Sequence, residues 1–290
     1  MDTLITLFLK IIRFVSEHLS FTNRRRAGIL LSKVLCLLIP KRLAITIDNI
    51  QTAYPNQNVD WWEKIARRAF ESLAITYLEG LAQRKFTEAI TKEQIIFKNP
   101  ELLTELHSKG KGLLLLSGHY GNWELIAHAA NVYSHLKILI VVVEQKYGST
   151  LLDESRTATG NRTIAKNKAA RELIKTIQTG GCIALLADQS ADRSKDVFVE
   201  FFGRPAVTYR APADIALKFG VPIVMGFADR QDDGKYSVEL IELKHDDLTY
   251  SEQSVVELTR RHVKILENKI KDHPEMWAWM HRRWKHQPNS

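Results

Sequence analysis

Cysteine is scarce in this chain: 290 residues hold two, Cys36 and Cys182, each inside an apolar run with no C-x-x-C or partner spacing. A disulfide framework and a thiolate metal knuckle are thereby set aside, and both residues read as small buried hydrophobes in reducing surroundings. Also missing are G-x-x-x-x-G-K-[ST], G-x-G-x-x-G, a zinc-ligand cluster and the G-x-S-x-G elbow. Nucleotide hydrolysis, dinucleotide-dependent redox chemistry and serine-hydrolase chemistry lose their usual signatures, and no cofactor and no metal are expected. Long apolar runs are absent too. A bilayer-spanning helix takes roughly 20 mainly apolar residues, but Lys10 and Arg13 interrupt LITLFLKIIRFV and Lys33 interrupts GILLSKVLCLLIP. The start MDT has no basic n-region and no small-residue cleavage site follows it, so a cleaved secretory signal is not expected.

Negative charge is the minority sign, with a formal net charge of +8. Residues 1–42 hold eight Lys and Arg (Lys10, Arg13, Arg24, Arg25, Arg26, Lys33, Lys41, Arg42) against Asp2 and Glu17, a local net of +6. Short apolar helices carrying basic residues fit a membrane-associated segment lying in the interface with its cations on anionic headgroups. The bland alternative is that the same helices pack on the protein's own core. An apolar content of 45% lets residues 43–290 form one globular domain.

The chain is organised around residues 113–130, LLLLSGHYGNWELIAHAA. Leu113 to Leu116 read as a buried strand, Gly118 and Gly121 allow a sharp turn, and the chain is helical from Glu124. His119 and Glu124 are five residues apart, about 140° on one continuous helix, so they meet only if His119 precedes the helix. A loop histidine can fold back on a carboxylate in the first helical turn, which holds one ring nitrogen and leaves the other to take a proton. That is the arrangement of a general base. Ile138 to Val143 then reads as a second strand, Lys168 to Thr179 as a helix and Cys182 to Ala187 as a third strand, an α/β pattern with parallel crossovers. Asp188 and Gln189 stand at the end of the third strand, where parallel sheets gather their sites, and so belong to the same cleft as His119. Pro222 to Ala228 and Tyr236 to Leu243 read as two strands joined by Asp232-Asp233-Gly234. Asp60 with Glu63 marks the start of a helix running to about Gln83.

The turn GHYGNWE resembles that of the late acyltransferases of lipid A biosynthesis, the lauroyl and myristoyl transferases, at Gly118, His119, Gly121, Asn122, Trp123 and Glu124. Four further blocks, Asn49 to Pro55, Ala187 to Gln189, Val197 to Pro205 and Pro274 to Lys285, look like the family's in the same order. The resemblance covers most of the chain. It implies a glycerolipid-acyltransferase-like α/β fold, a mixed sheet flanked by helices with an N-terminal membrane-associated helical region. It implies acyl transfer from acyl carrier protein to a hydroxyl of a Kdo-bearing lipid A precursor, at the cytoplasmic face of the bacterial inner membrane. His119 is the expected general base and Glu124 its orienting carboxylate, with Asn122, Asp188 and Gln189 expected on substrate or oxyanion. The resemblance also places an active-site arginine where Arg156 stands, whose planar donors suit a phosphate or carbonyl oxygen; on the residues alone it reads as a solvated helix arginine. Backbone N–H groups of the glycine turn are the other oxyanion candidates.

Other readings stand beside this one. The same fold could acylate a glycerophosphate or a glycosylated phosphoinositide. A non-enzymatic membrane-surface module would leave His119, Glu124 and His128 as packing residues or zinc ligands. Arg193, Lys195, Arg204 and Arg210 form either a basic rim for an anionic partner or ordinary surface. Trp61 and Trp62, and Trp277, Trp279 and Trp284 near the C-terminus, suit either a membrane interface or the core. Aromatics beside arginines also occur on nucleic-acid surfaces, but no such module surrounds them, and no nucleic-acid partner is expected.

Overall fold

The computed structural model describes residues 2–143 and 147–288. Four helices come first: α1 (Asp2–His18), α2 (Phe21–Leu38), α3 (Pro40–Ala53) and α4 (Val59–Ala82). The Ser20 hydroxyl caps α2 by accepting from the Asn23 N–H, and Asn58 caps α4 by accepting from the Trp61 N–H. The cap of α4 therefore lies two residues before the expected Asp60. Residues 1–42 are packed on the rest of the chain along one side. In α2, Gly28 lies so close to α4 that an added Cβ would sit 2.5 Å from Ile75 Cγ1 and 2.9 Å from its Cα. Arg24 is buried with its guanidinium 4.9 Å from the centres of the Phe21 and Phe86 rings, and its Nε donates to the Ser16 carbonyl. Leu9 and Ile12 of α1 pack on Leu81, Leu151 and Leu152. The opposite side of α1 leaves Leu4, Leu7, Phe8, Ile11, Phe14 and Val15 exposed. Among the described residues no helix is long and apolar enough to cross a membrane.

The rest of the chain alternates strands and helices: α5 (Glu88–Gln94), β1 (Ile95–Phe97), α6 (Glu101–His107), β2 (Leu113–Ser117), α7 (Trp123–Ser134), β3 (Ile138–Val142), α8 (Ser149–Arg156), β4 (Arg162–Ala165), α9 (Ala169–Gln178), β5 (Cys182–Leu186), β6 (Val197–Phe201), β7 (Arg204–Thr208), α10 (Ala211–Phe219), β8 (Ile223–Arg230), β9 (Tyr236–Glu242) and α11 (Glu252–Asp272). Seven strands form one sheet in the order β1-β9-β8-β2-β5-β3-β4. All neighbours are parallel except β8 and β9, which the Asp232-Asp233-Gly234 turn joins as a hairpin. The sheet is mixed, as the resemblance implied. The crossover from β2 through α7 leads to β3, yet the two strands are not neighbours, because β5 lies between them and pairs with both.

Strand β2 is buried along its whole length, which explains its unbroken leucine run: it has sheet on both edges and helices on both faces. Alternate side chains go to opposite layers. Leu114 and Leu116 join α10, α11 and the β6–β7 hairpin in one core, while Leu113 and Leu115 join α6 and α7 in the other. The hairpin's turn holds Phe202 and Gly203 at positive φ. The C-terminal tryptophans settle in the core, Trp277 at 2% and Trp279 at 0% exposure. Trp284 stacks on Phe201, and the Trp62 indole donates to the Tyr54 carbonyl at 2.9 Å.

Candidate active site

The site forms where β2 ends. Gly121 takes φ +57°, and a Cβ there would fall 2.0 Å from the Ala228 carbonyl oxygen. Only glycine lets the turn lie that close to β8. The backbone of Asn122 donates to Ala228 on this side, and on the other side Gly121 donates to Met276 and Ala278 donates to His119. The turn is thus clamped between β8 and the segment 276–278.

His119 is held by Asp188. The imidazole Nδ1 lies 2.8 Å from Asp188 Oδ1, and the His119 backbone N–H donates to Oδ2 at 2.8 Å. The Trp277 indole N–H also donates to Oδ2, at 2.8 Å. Burial by itself would raise the Asp188 pKa, but the imidazole's charge, its two donors and the indole outweigh it and bring the group down to about 2. An ionised carboxylate on Nδ1 fixes the proton there, so Nε2 carries the lone pair. Nε2 faces the cavity, with Gln189 Nε2 at 3.3 Å, while the Trp123 ring meets the imidazole edge-on at 5.1 Å.

The expected His119–Glu124 hydrogen bond is corrected by this geometry. Both Glu124 oxygens are taken by Arg156, whose Nε donates to Oε2 at 2.9 Å and Nη2 to Oε1 at 2.7 Å. Arg156 Nη1 reaches Asp153 at 3.1 Å, and the Trp123 indole adds a bond to Glu124. Burial raises the Glu124 pKa, but Arg156 overrides it and the net shift is downward. A planar fork saturates the carboxylate that the sequence assigned to the imidazole. Asp188 replaces it because β5 is the parallel neighbour of β2, so the two strand ends stand side by side. Glu124 and Arg156 still line the cavity as a fixed ion pair.

Asn122 is the second correction. It is fully buried behind the turn, with Nδ2 donating to Glu79 Oε2 at 2.6 Å, so it does not face a substrate. The Tyr236 hydroxyl shares Glu79, Arg230 donates to Tyr236, and Thr76 donates to the Gly121 carbonyl. Burial pushes the Glu79 pKa up against the pull of Arg230 and its donors. The sequence offered one signal for this network, a lone carboxylate in the apolar run ITYLEGLA. His128 is also buried, with Nε2 on the Thr91 hydroxyl at 2.8 Å. Among the described residues no group of three His, Cys, Asp or Glu is placed to hold a metal ion. Of the basic rim, Arg210 is bound by Asp214 and Glu252, and Lys195 by Asp192.

His119 stands over a cavity of about 510 Å³, within the roughly 300–1,000 Å³ usual for small-molecule sites. Its walls are mainly apolar, among them Leu115, Ile126, Ile140, Leu173 and Leu186, while Lys166, Tyr209, Gln189 and Arg156 are polar. A half-buried imidazole held by a buried carboxylate at strand ends, beside such a cavity, suits proton transfer next to an apolar substrate group. The chain belongs to the bacterial lipid A biosynthesis acyltransferase family, whose model matches residues 2–286. It is similar to the lipid A biosynthesis lauroyltransferase of Escherichia coli (strain K12), 24% identical over 278 residues that make up 91% of this chain and 85% of that protein.

Proposed function

We propose that this acyltransferase moves a fatty acyl chain from acyl carrier protein to a hydroxyl of a Kdo-bearing lipid A precursor, with His119 as general base. The carrying observation is the Asp188–His119 pair beside a mainly apolar cavity, with the Gln189 amide at Nε2. Nε2 takes the proton of the acceptor hydroxyl as its oxygen attacks the thioester carbonyl carbon. The tetrahedral oxyanion collapses, the C–S bond breaks, and the departing thiolate takes the proton back from the imidazolium. Asp188 stays ionised throughout and stabilises the imidazolium. The acyl chain lies along the apolar walls.

The N–H groups of His119, Tyr120, Gly121 and Asn122 are already bonded within the protein, which argues against the turn backbone as oxyanion donor. The Gln189 amide beside Nε2 is better placed, with Arg156 further along the cavity wall. The exposed apolar side of α1 supports association with the cytoplasmic face of the inner membrane. The inner side of that helix packs on Leu152, which lines the cavity, so a lipid-facing surface adjoins the site. Transfer of labelled acyl chain from acyl carrier protein to the purified precursor tests the reading. His119→Ala should abolish transfer, and parental turnover by that variant would refute it.

A further inference from the structure

The segment after α11 does more than fill the core. Three of its residues approach the carboxylate end of the catalytic pair: Trp277 donates to Asp188 Oδ2 at 2.8 Å, His281 Nε2 accepts from the Ser190 backbone at 3.0 Å, and Arg283 lies buried within electrostatic reach of Asp188. Its backbone bonds to His119 and Gly121 form a short antiparallel bridge with the turn. We propose that Trp277 is a positioning residue for acyl transfer: its indole N–H holds the Asp188 carboxylate in the one orientation in which Oδ1 meets His119 Nδ1.

The geometry leaves Asp188 few other constraints. Oδ1 has the imidazole, and Oδ2 has the His119 N–H and the indole. Without the indole, both remaining donors belong to His119 itself, so the carboxylate could rotate with its partner and would no longer be tied to the core. Trp277 is tied there, edge-on to Trp279 at 4.6 Å and to Phe201 at 5.4 Å. It transmits the rigidity of the aromatic cluster to the dyad. The other charged or titratable groups facing Asp188 are His119 from the turn, His262 from α11, and His281 and Arg283 from the C-terminal segment. Among the described residues the last three make no hydrogen bond to the carboxylate, so they set its field and not its angle.

The proposal rests on His119 being the base, and the test separates the two. Trp277→Phe keeps the ring packing and removes the N–H. The expected result is a fall in kcat of about tenfold, the scale of one hydrogen bond to a charged group, with KM for both substrates within about twofold. Trp279→Phe is the control: it removes an equal volume from the same cluster, but its indole donates to the Pro274 carbonyl. It should leave kcat near the parent's. Equal kcat for Trp277→Phe and the parent, or equal defects in the two variants, would overturn the proposal. If Trp277→Phe does not fold, indole ¹⁵N resonances decide: on going from the parent to His119→Ala the Trp277 signal should move and the Trp279 signal should not. A Trp277 signal that stays still overturns the proposal. Full activity in His119→Ala would instead remove the base itself, whatever the indole does.

Discussion

Asp188 and Glu124 are buried carboxylates near one imidazole, and their partners divide the labour between them. Asp188 faces two donors from His119 and one from Trp277, so its charge serves the imidazole. Asp188→Asn should keep the fold and lower kcat by about 10²–10⁴, because an amide can stabilise the wrong tautomer and cannot balance imidazolium. Steady-state kinetics check this, and a loss below about threefold would count against the pair. Glu124 answers to Arg156 instead. Glu124→Ala leaves a mostly buried guanidinium with only Asp153, and removing one partner of a buried pair costs about 3–5 kcal/mol. The retained Asp153 contact puts the expectation at the lower end, near 3 kcal/mol in urea unfolding. A change under about 1 kcal/mol would class the pair with surface bridges. His119 as a loop residue before a helix was legible from the glycine spacing. Its partner was not, because Asp188 lies 69 residues away and only strand adjacency brings it near.

Most elements follow from patterns that need no tertiary information. The leucine run of β2 and the apolar strands β3, β5, β8 and β9 were readable because burial on one or both faces leaves a pattern in the sequence. What failed to show is instructive. Arg162–Ala165 forms the edge strand β4 with an exposed or half-exposed pattern, so no alternation marks it. Glu88–Gln94 makes a helix too short to display a face, and its start rests on a Thr87 cap. The contact between α2 and α4 is an element-scale feature with a direct test. Gly28→Ala places a methyl against the backbone of Ile75, which cannot retreat without moving α4. Overpacking costs about 1–3 kcal/mol, against a gain of about 1 kcal/mol from helix propensity. Thermal melting should show a net loss of stability, and a higher melting temperature would mean that the two helices separate freely.

At the scale of the whole molecule, the basic N-terminal helices present one side to the core and one to the outside. Replacing Leu7 and Phe8, both exposed, with glutamates should release the protein from vesicles containing anionic lipid while leaving its melting temperature within about 2 °C, since exposed sites away from packing seldom shift stability by more than about 0.5 kcal/mol. Flotation assays decide this, and unchanged flotation would move the membrane surface elsewhere. Acid stability is also a property of the whole. Burial pushes His128 and His262 down from 6.5 to about 4, so both stay neutral in the fold while the unfolded chain takes up protons. Their contribution is intact above pH 6.5 and is lost as pH falls toward 4, so unfolding free energy should drop steeply across that window. A flat profile in urea titrations from pH 7 to about 4.5 would contradict their burial in neutral form. The sequence alone determined the α/β class, the family, the glycine turn that carries His119 and the basic N-terminus, because each is written in local spacing, composition or contiguous blocks. Only the tertiary structure decided that Asp188 and not Glu124 holds His119, that Asn122 faces Glu79, and that the Trp277 indole reaches Asp188. Those choices depend on which strands become neighbours and which donors reach a carboxylate first, and neither is recorded along the chain.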